Sequence, residues 1–177
     1  MENQAFIDGQ NLRISTMNAQ PSWTVDLKKF RRFLLEKYKV SEAYYFIGTF
    51  DPRNQALYDA LKEYGYFVVF REHVGKALSH KKGNVDTDIV FAVMKKLVER
   101  EKFDKVILVS GDGDYWKMVD YLIKKNKLGK LLVPNKLTLS SLYRTRTPDT
   151  YRSYLDDPAL KNKIALRKKQ TKNAGSP

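Results

Sequence analysis

Three short stretches carry the residues able to do chemistry. Asp8 closes the apolar run Ala5-Phe6-Ile7 in FIDGQNL, and Asp112 and Asp114 follow the apolar run 106–109 in VSGDGDYW. Asp86 and Asp88 stand where helical spacing begins in KGNVDTDI. Carboxylates are oxygen ligands suited to a hard divalent cation. Gathered on one rim they would repel, at ~4 kcal/mol for a pair ~4 Å apart at an effective dielectric of ~20, and a divalent cation offsets that repulsion. Each acid taken singly also has a structural use. Asp8-Gly9 can be a turn, Asp112 or Asp114 a helix cap, and Asp86 or Asp88 a complement to a helix dipole. Jointly those uses explain less, because Ser110 is already available as a cap.

Other chemistries are excluded by residue type. The chain has no Cys and two His, His73 and His80, seven apart, which fits no common zinc spacing. Both His read as solvent or phosphate contacts. The twelfth position counted from Asp112 is Ile123 rather than Glu, so no EF-hand loop is present. Neither Gly9 nor Gly111 starts a G-x-G-x-x-G fingerprint, and no P-loop lysine pattern occurs. Asp86 and Asp88 lie about 200° apart around a helix. They face one ion together only if Asp86 is still in the non-helical entry, which makes Asp86 the better ligand and Asp88 a supporting or second-metal acid. Asp51, with Pro52 behind it, reads as a helix cap.

The elements that must position these acids alternate. Strands are expected at 5–7, 43–48, 66–70, 106–109 and 130–133, each a short continuous apolar run. After a polar loop, the spacing of Val25, Leu27, Phe30, Phe33, Leu34 and Tyr38 predicts a helix with Thr24 as its cap. Further helices are expected from Asp51-Pro52 to about Tyr64 with a stop at Gly65, from Val85 through Leu97, over 114–126, and briefly near 138–145. An apolar patch follows at 151–155. This pattern predicts one α/β domain, a three-layer α/β/α sandwich on a mostly parallel sheet of about five strands, spanning 1–157. Residues 158–177 are expected to form a basic, flexible tail that frays from Lys161. In parallel sheets ligands sit outside the carboxyl ends of the strands, where Asp8 and Asp112 fall.

Charge is uneven. The 177 residues carry a formal net charge of +13, but residues 121–177 alone hold 14 basic and 3 acidic side chains. That asymmetry suits either a polyanion or a solubilising surface. Lys81, Lys82, Lys124, Lys125, Lys127, Lys130, Arg144 and Arg146 are the candidate polyanion contacts. No apolar run reaches the ~18 residues of a membrane span, and no leader pattern is visible at Glu2. A soluble, cytoplasmic protein is expected.

With those residues in place, the chain resembles the NYN domain, a member of the PIN-like nuclease group, over roughly residues 4–155. FIDGQNL, KGNVDTDI and VILVSGDGDYWKMVDYL carry the resemblance, the third most specifically. It implies a Mg²⁺- or Mn²⁺-dependent ribonuclease fold, with Asp8, Asn11, Asp86, Asp112 and Asp114 at the family's site positions. Many members place a further Asp where this chain has Ala92, and Asp88 is the candidate substitute. The chemistry is compatible: metal ions lower the pKa of water and neutralise a phosphodiester in transit. Asn11 and Ser110 are placed to orient water or phosphate. Tyr115 could stack on a base, while Trp116 reads as core. The partner implied is single-stranded RNA, with a homodimer left open. A binding or adaptor protein on the same fold is the competing class. A haloacid-dehalogenase-type phosphatase is disfavoured, since Gly9 and Gln10 follow Asp8 where an Asp-x-Asp is needed.

Overall fold

The computed structural model describes residues 2–71 and 85–167. Lys81, Lys82, His73 and His80 therefore lie outside the described residues. Six strands form one sheet: β1 (Asn3–Asp8), β2 (Val40–Ile47), β3 (Tyr66–Phe70), β4 (Val106–Val109), β5 (Leu128–Val133) and β6 (Arg152–Tyr154). Their order is β3-β2-β1-β4-β5-β6 and every pairing is parallel.

Helices cover both faces, as a parallel sheet requires, and the apolar runs divide between them. Ala5 and Ile7 of β1 join one core, packed beneath α1 (Gly9–Met17), α2 (Leu27–Tyr38), α3 (Gln55–Glu63) and α7 (Pro158–Ile164). Phe6, between them in sequence, joins the other core under α4 (Val85–Val98), α5 (Trp116–Lys124) and α6 (Ser141–Arg146). This is strand alternation with apolar residues on both sides, so all three are fully buried.

Most element expectations hold, with local differences. The cap of α2 is Asp26, not Thr24: its Oδ1 accepts from the Lys29 backbone N–H at 3.1 Å. Asp51 does cap, accepting from the Arg53 N–H, but it opens a short 3₁₀ turn that leads into α3. Gly65 follows α3 with φ +85°, the left-handed region that favours glycine. The stretch expected to be a polar loop after Asp8 is instead α1. The apolar patch at 151–155 contains a sixth strand.

The chain expected to fray from Lys161 is helical as far as Ile164, which is fully buried. The Asp26 N–H donates to Ile164 O at 2.8 Å, and the Leu166 N–H donates to Thr24 O at 2.9 Å. Anchoring by these backbone bonds and by Ile164 is the physical reason the segment does not fray there. Residues 168–177 lie outside the described part.

Candidate metal centre at the switch point

β1 leads to β2 on one side of the sheet, whereas β4 leads to β5 on the other. The crevice above the carboxyl ends of β1 and β4 is where a parallel sheet of this order takes its ligands. Register puts Ile7 opposite Val109, so Asp8 and Ser110 leave the sheet side by side. The Asn11 side chain then fastens the two loops: its Oδ1 accepts from the Gly111 N–H at 3.0 Å. The Ser140 N–H donates to Gly111 O at 3.1 Å, which adds the loop after β5. Gly113 permits this close approach, because a Cβ there would lie 2.3 Å from Ser140 Oγ.

The structural and chemical uses of the acids turn out to be compatible, one oxygen each. Asp8 caps α1 through Oδ1, which accepts from the Asn11 N–H at 2.9 Å. Asp112 caps the following 3₁₀ turn through Oδ1, which accepts from the Asp114 N–H at 3.1 Å, and its own N–H donates to Ser110 Oγ. The second oxygen of Asp112 remains for the crevice, while that of Asp8 meets the Tyr115 hydroxyl.

Asp86, Asp112 and Asp114 each present a carboxylate oxygen, and these atoms lie within 4.8 Å of one another. Hard divalent cations take carboxylate oxygens as ligands, and these three side chains would hold one. Among the described residues none of the three, nor Asp8, has a Lys or Arg ion-pair partner. The donor set fits a hard divalent cation.

Asp8 stands one step back, 4% exposed. The Tyr115 hydroxyl lies 3.0 Å from Asp8 Oδ2 and 2.6 Å from Asp86 Oδ1, bridging the two. Burial pushes the Asp8 carboxyl above its usual range; the Asn11 and Tyr115 hydrogen bonds oppose this, and the charges of Asp86 and Asp112 add to it. Asp86 is raised chiefly by burial, with Asp112 and Asp114 adding. The Tyr115 phenol is raised strongly by burial and by both carboxylates, so it stays a donor.

Tyr115, expected to stack on a base, is fully buried and holds acids instead. Tyr143 on α6 was not foreseen at all. Its hydroxyl is buried without a hydrogen bond among the described residues. Burial raises its pKa, and Asp112, Asp114 and Asp86 raise it further, which places it in the field of the cluster. Trp116 packs partly buried on the core, as expected, with the Arg146 guanidinium 5.0 Å from its ring centre.

Helix α4 already begins at Val85, so Asp86 is helical. Asp88, two positions on, is half-buried and falls outside the three-oxygen group. Ala92 lies further down the helix, partly buried against the core.

The basic candidates separate. α5 starts at the cluster and runs away from it, ending at Lys124, which pairs with Asp120 at 2.6 Å. Lys125 stacks over the Tyr121 ring, and Lys127 donates to Phe103 O and Asp104 O beside the start of β5. These three occupy the amino rim of the sheet, opposite the acids. Lys130 donates to Thr150 O at 2.7 Å. Arg144 and Arg146 ride on α6, whose cap Ser140 borders the cluster at Gly113.

An all-parallel sheet in this order, with carboxylates gathered at its switch point, is a PIN-like architecture. The chain belongs to the NYN domain family, a PIN-like nuclease family, whose signature matches residues 4–150. It is 26% identical over 129 residues to the low amplitude and bright protein LabA of Synechococcus elongatus, covering 68% of this chain and 67% of that one. The crystal structure of a protein of unknown function, VPA0982 from Vibrio parahaemolyticus RIMD 2210633, shares the fold. Its TM-score is 0.69 at 22% identity, over 93% of this chain and 96% of that one. Among the described residues no helix is long and apolar enough to cross a membrane.

Proposed function

We propose that this chain is a Mg²⁺- or Mn²⁺-dependent endoribonuclease acting on single-stranded RNA in the cytoplasm. The observation that carries the reading is the group of three carboxylates within 4.8 Å at the switch point, without a cationic partner among the described residues. Asp86, Asp112 and Asp114 would hold the ion. When bound, it supplies Lewis-acid activation of water and neutralises charge on the phosphodiester. Tyr115 fixes Asp8 and Asp86 in place through its single hydroxyl. Asp8, buried above its usual pKa, is suited to accept or return a proton at Oδ2. Asn11 spends Oδ1 on Gly111, and its Nδ2 remains to orient water or a phosphate oxygen. Arg144 and Arg146 offer backbone contacts on the same rim.

A second reading, RNA binding with little catalysis, is favoured by one observation: Asp8 is engaged by Tyr115 and Asp88 stands apart, leaving three close ligand oxygens. Labelled single-stranded RNA incubated with EDTA, Mg²⁺ or Mn²⁺ separates the two. Metal-dependent cleavage that disappears in Asp112→Asn is the expected result. Retention without cleavage under every condition would refute the nuclease reading.

A further inference from the structure

A cleft on the other side of α1 has the same rim as the acids and no part in the mechanism above. Two adjoining cavities of about 440 and 340 Å³ run between α1 and α3 above β2, sharing Arg13, Tyr45 and Leu57. Small-molecule pockets range over ~300–1,000 Å³ and are mostly apolar, with a few convergent polar groups. This cleft has that composition. Ile14 and Leu57 wall it while 45% and 42% exposed, so apolar surface is open to a ligand there.

Besides the hydroxyls of Thr16, Thr24 and Tyr58, its lining offers the Tyr45 hydroxyl, the Arg13 guanidinium and the carboxamides of Gln10 and Asn54. The side chains of Gln10, Arg13, Tyr45 and Asn54 make no hydrogen bond among the described residues. The Tyr45 phenol is raised to about 12 by burial and by the Asp8 charge, so it is a donor at neutral pH. No acidic side chain lines either cavity. A polyanionic strand repelled by the acid cluster without metal meets no such repulsion here.

Continuity decides the occupant. α1 is the common wall, turning Asn11 and Ser15 toward the acid cleft and Gln10, Arg13 and Ile14 toward this one. A strand whose phosphate lies at the acids has only the first turn of α1 to cross. We propose that the cleft between α1 and α3 is a nucleobase subsite that receives the base flanking the cleaved phosphate and prefers adenine. Apolar walls and the Tyr45 ring accept a flat base, and Arg13 takes the adjoining phosphate. Carboxamides such as those of Asn54 and Gln10 match adenine's N6–N7 edge bidentately. The proposal rests on the RNA reading given above, and its test is made separable from it.

The test is binding in EDTA, where nothing is cleaved, of labelled A₅, U₅, C₅ and G₅ by fluorescence anisotropy. Gln10, Arg13 and Asn54 are exposed, so their truncation leaves the fold intact, and Tyr45→Phe removes one hydroxyl. Wild type should prefer A₅ over U₅ at least fivefold. That ratio should approach one in the Gln10→Ala/Asn54→Ala double variant and fall in Tyr45→Phe, whereas Arg13→Ala should weaken all four alike. No binding of any pentamer, no preference, or a preference unmoved by these variants overturns the proposal. So does a wild-type dimer that Ile14→Asp dissociates while RNA binding stays unchanged, because a second copy would then fill the cleft. A preference that behaves as expected without cleavage in Mn²⁺ removes only the nuclease reading, and cleavage with unmoved preference removes only the subsite.

Discussion

The bridge from Tyr115 to two carboxylates contains an imbalance that a single amide resolves. A phenol has one proton, yet Asp8 Oδ2 and Asp86 Oδ1 both lie within hydrogen-bond distance of it. With both acids ionised, one buried contact is oxygen against oxygen with no hydrogen between. In Asp8→Asn, Oδ1 continues to cap α1, since Asn caps about as well as Asp. Nδ2 then donates to the Tyr115 oxygen, whose proton goes wholly to Asp86. Satisfying a buried polar contact is worth ~1–3 kcal/mol, and the like charge beside Asp86 and Asp112 disappears as well. A gain of ~1–2 kcal/mol raises the melting temperature of a chain this size by roughly 3–6 °C.

The sign with pH follows from the raised carboxyls. A group whose folded pKa lies above its unfolded value loses stability as pH rises through the folded value. The advantage of Asp8→Asn over wild type should therefore be full near neutrality. It should shrink as pH falls through the raised Asp8 value toward the unfolded value of ~3.9. Thermal unfolding in EDTA across pH measures this. Because Asp8 lies outside the three-oxygen group, the Mn²⁺-induced rise in melting temperature should survive in Asp8→Asn and vanish in Asp112→Asn. At a hundredfold excess over the dissociation constant that rise corresponds to ~2.7 kcal/mol. A variant less stable than wild type at neutral pH, or one without the metal response, would refute the assigned geometry.

Two further outcomes follow from where the basic residues lie. Arg144→Ala and Arg146→Ala should each flatten the log–log salt dependence of single-stranded RNA binding by about 0.7, whereas Lys124→Ala and Lys127→Ala on the opposite rim should leave it unchanged. Ending the chain after Arg167 should preserve the melting temperature, but ending it after Leu160 should lower it by several degrees, through loss of buried Ile164 and its bond from Asp26.

The parts of this fold that speak locally were legible in the sequence. VILV and YFVVF are strands by composition alone, and Val85, Ile89 and Val93 mark one buried helix face. Helix α1 was missed because it buries Leu12 beside Gly9, Ser15 and Thr16, too little apolar signal to set a period. β6 consists of Arg-Ser-Tyr and is a strand only because β5 pairs with it. Asp8, Asp112 and Asp114 were legible through their position after apolar runs, and Asp86 through its place at the start of a helical pattern. The use of Tyr115 was not, since its partner Asp8 is 107 residues away and only the sheet order brings them together. A run of lysines likewise says nothing about which rim it occupies; the direction of α5 decides that.

The division of labour within Asp8 and Asp112, one oxygen at the helix end and the other turned to Tyr115 or to the acid group, has an evolutionary consequence. An amide keeps the first oxygen and alters only the second, so the fold exerts no selection against Asn at either position. At Asp8 it rewards the change. On the ribonuclease reading proposed above, an Asn at either position gives a protein of unaltered shape that lacks a carboxylate the chemistry needs. Within this architecture, shape reports ancestry, and only the identity of a few side-chain atoms reports activity.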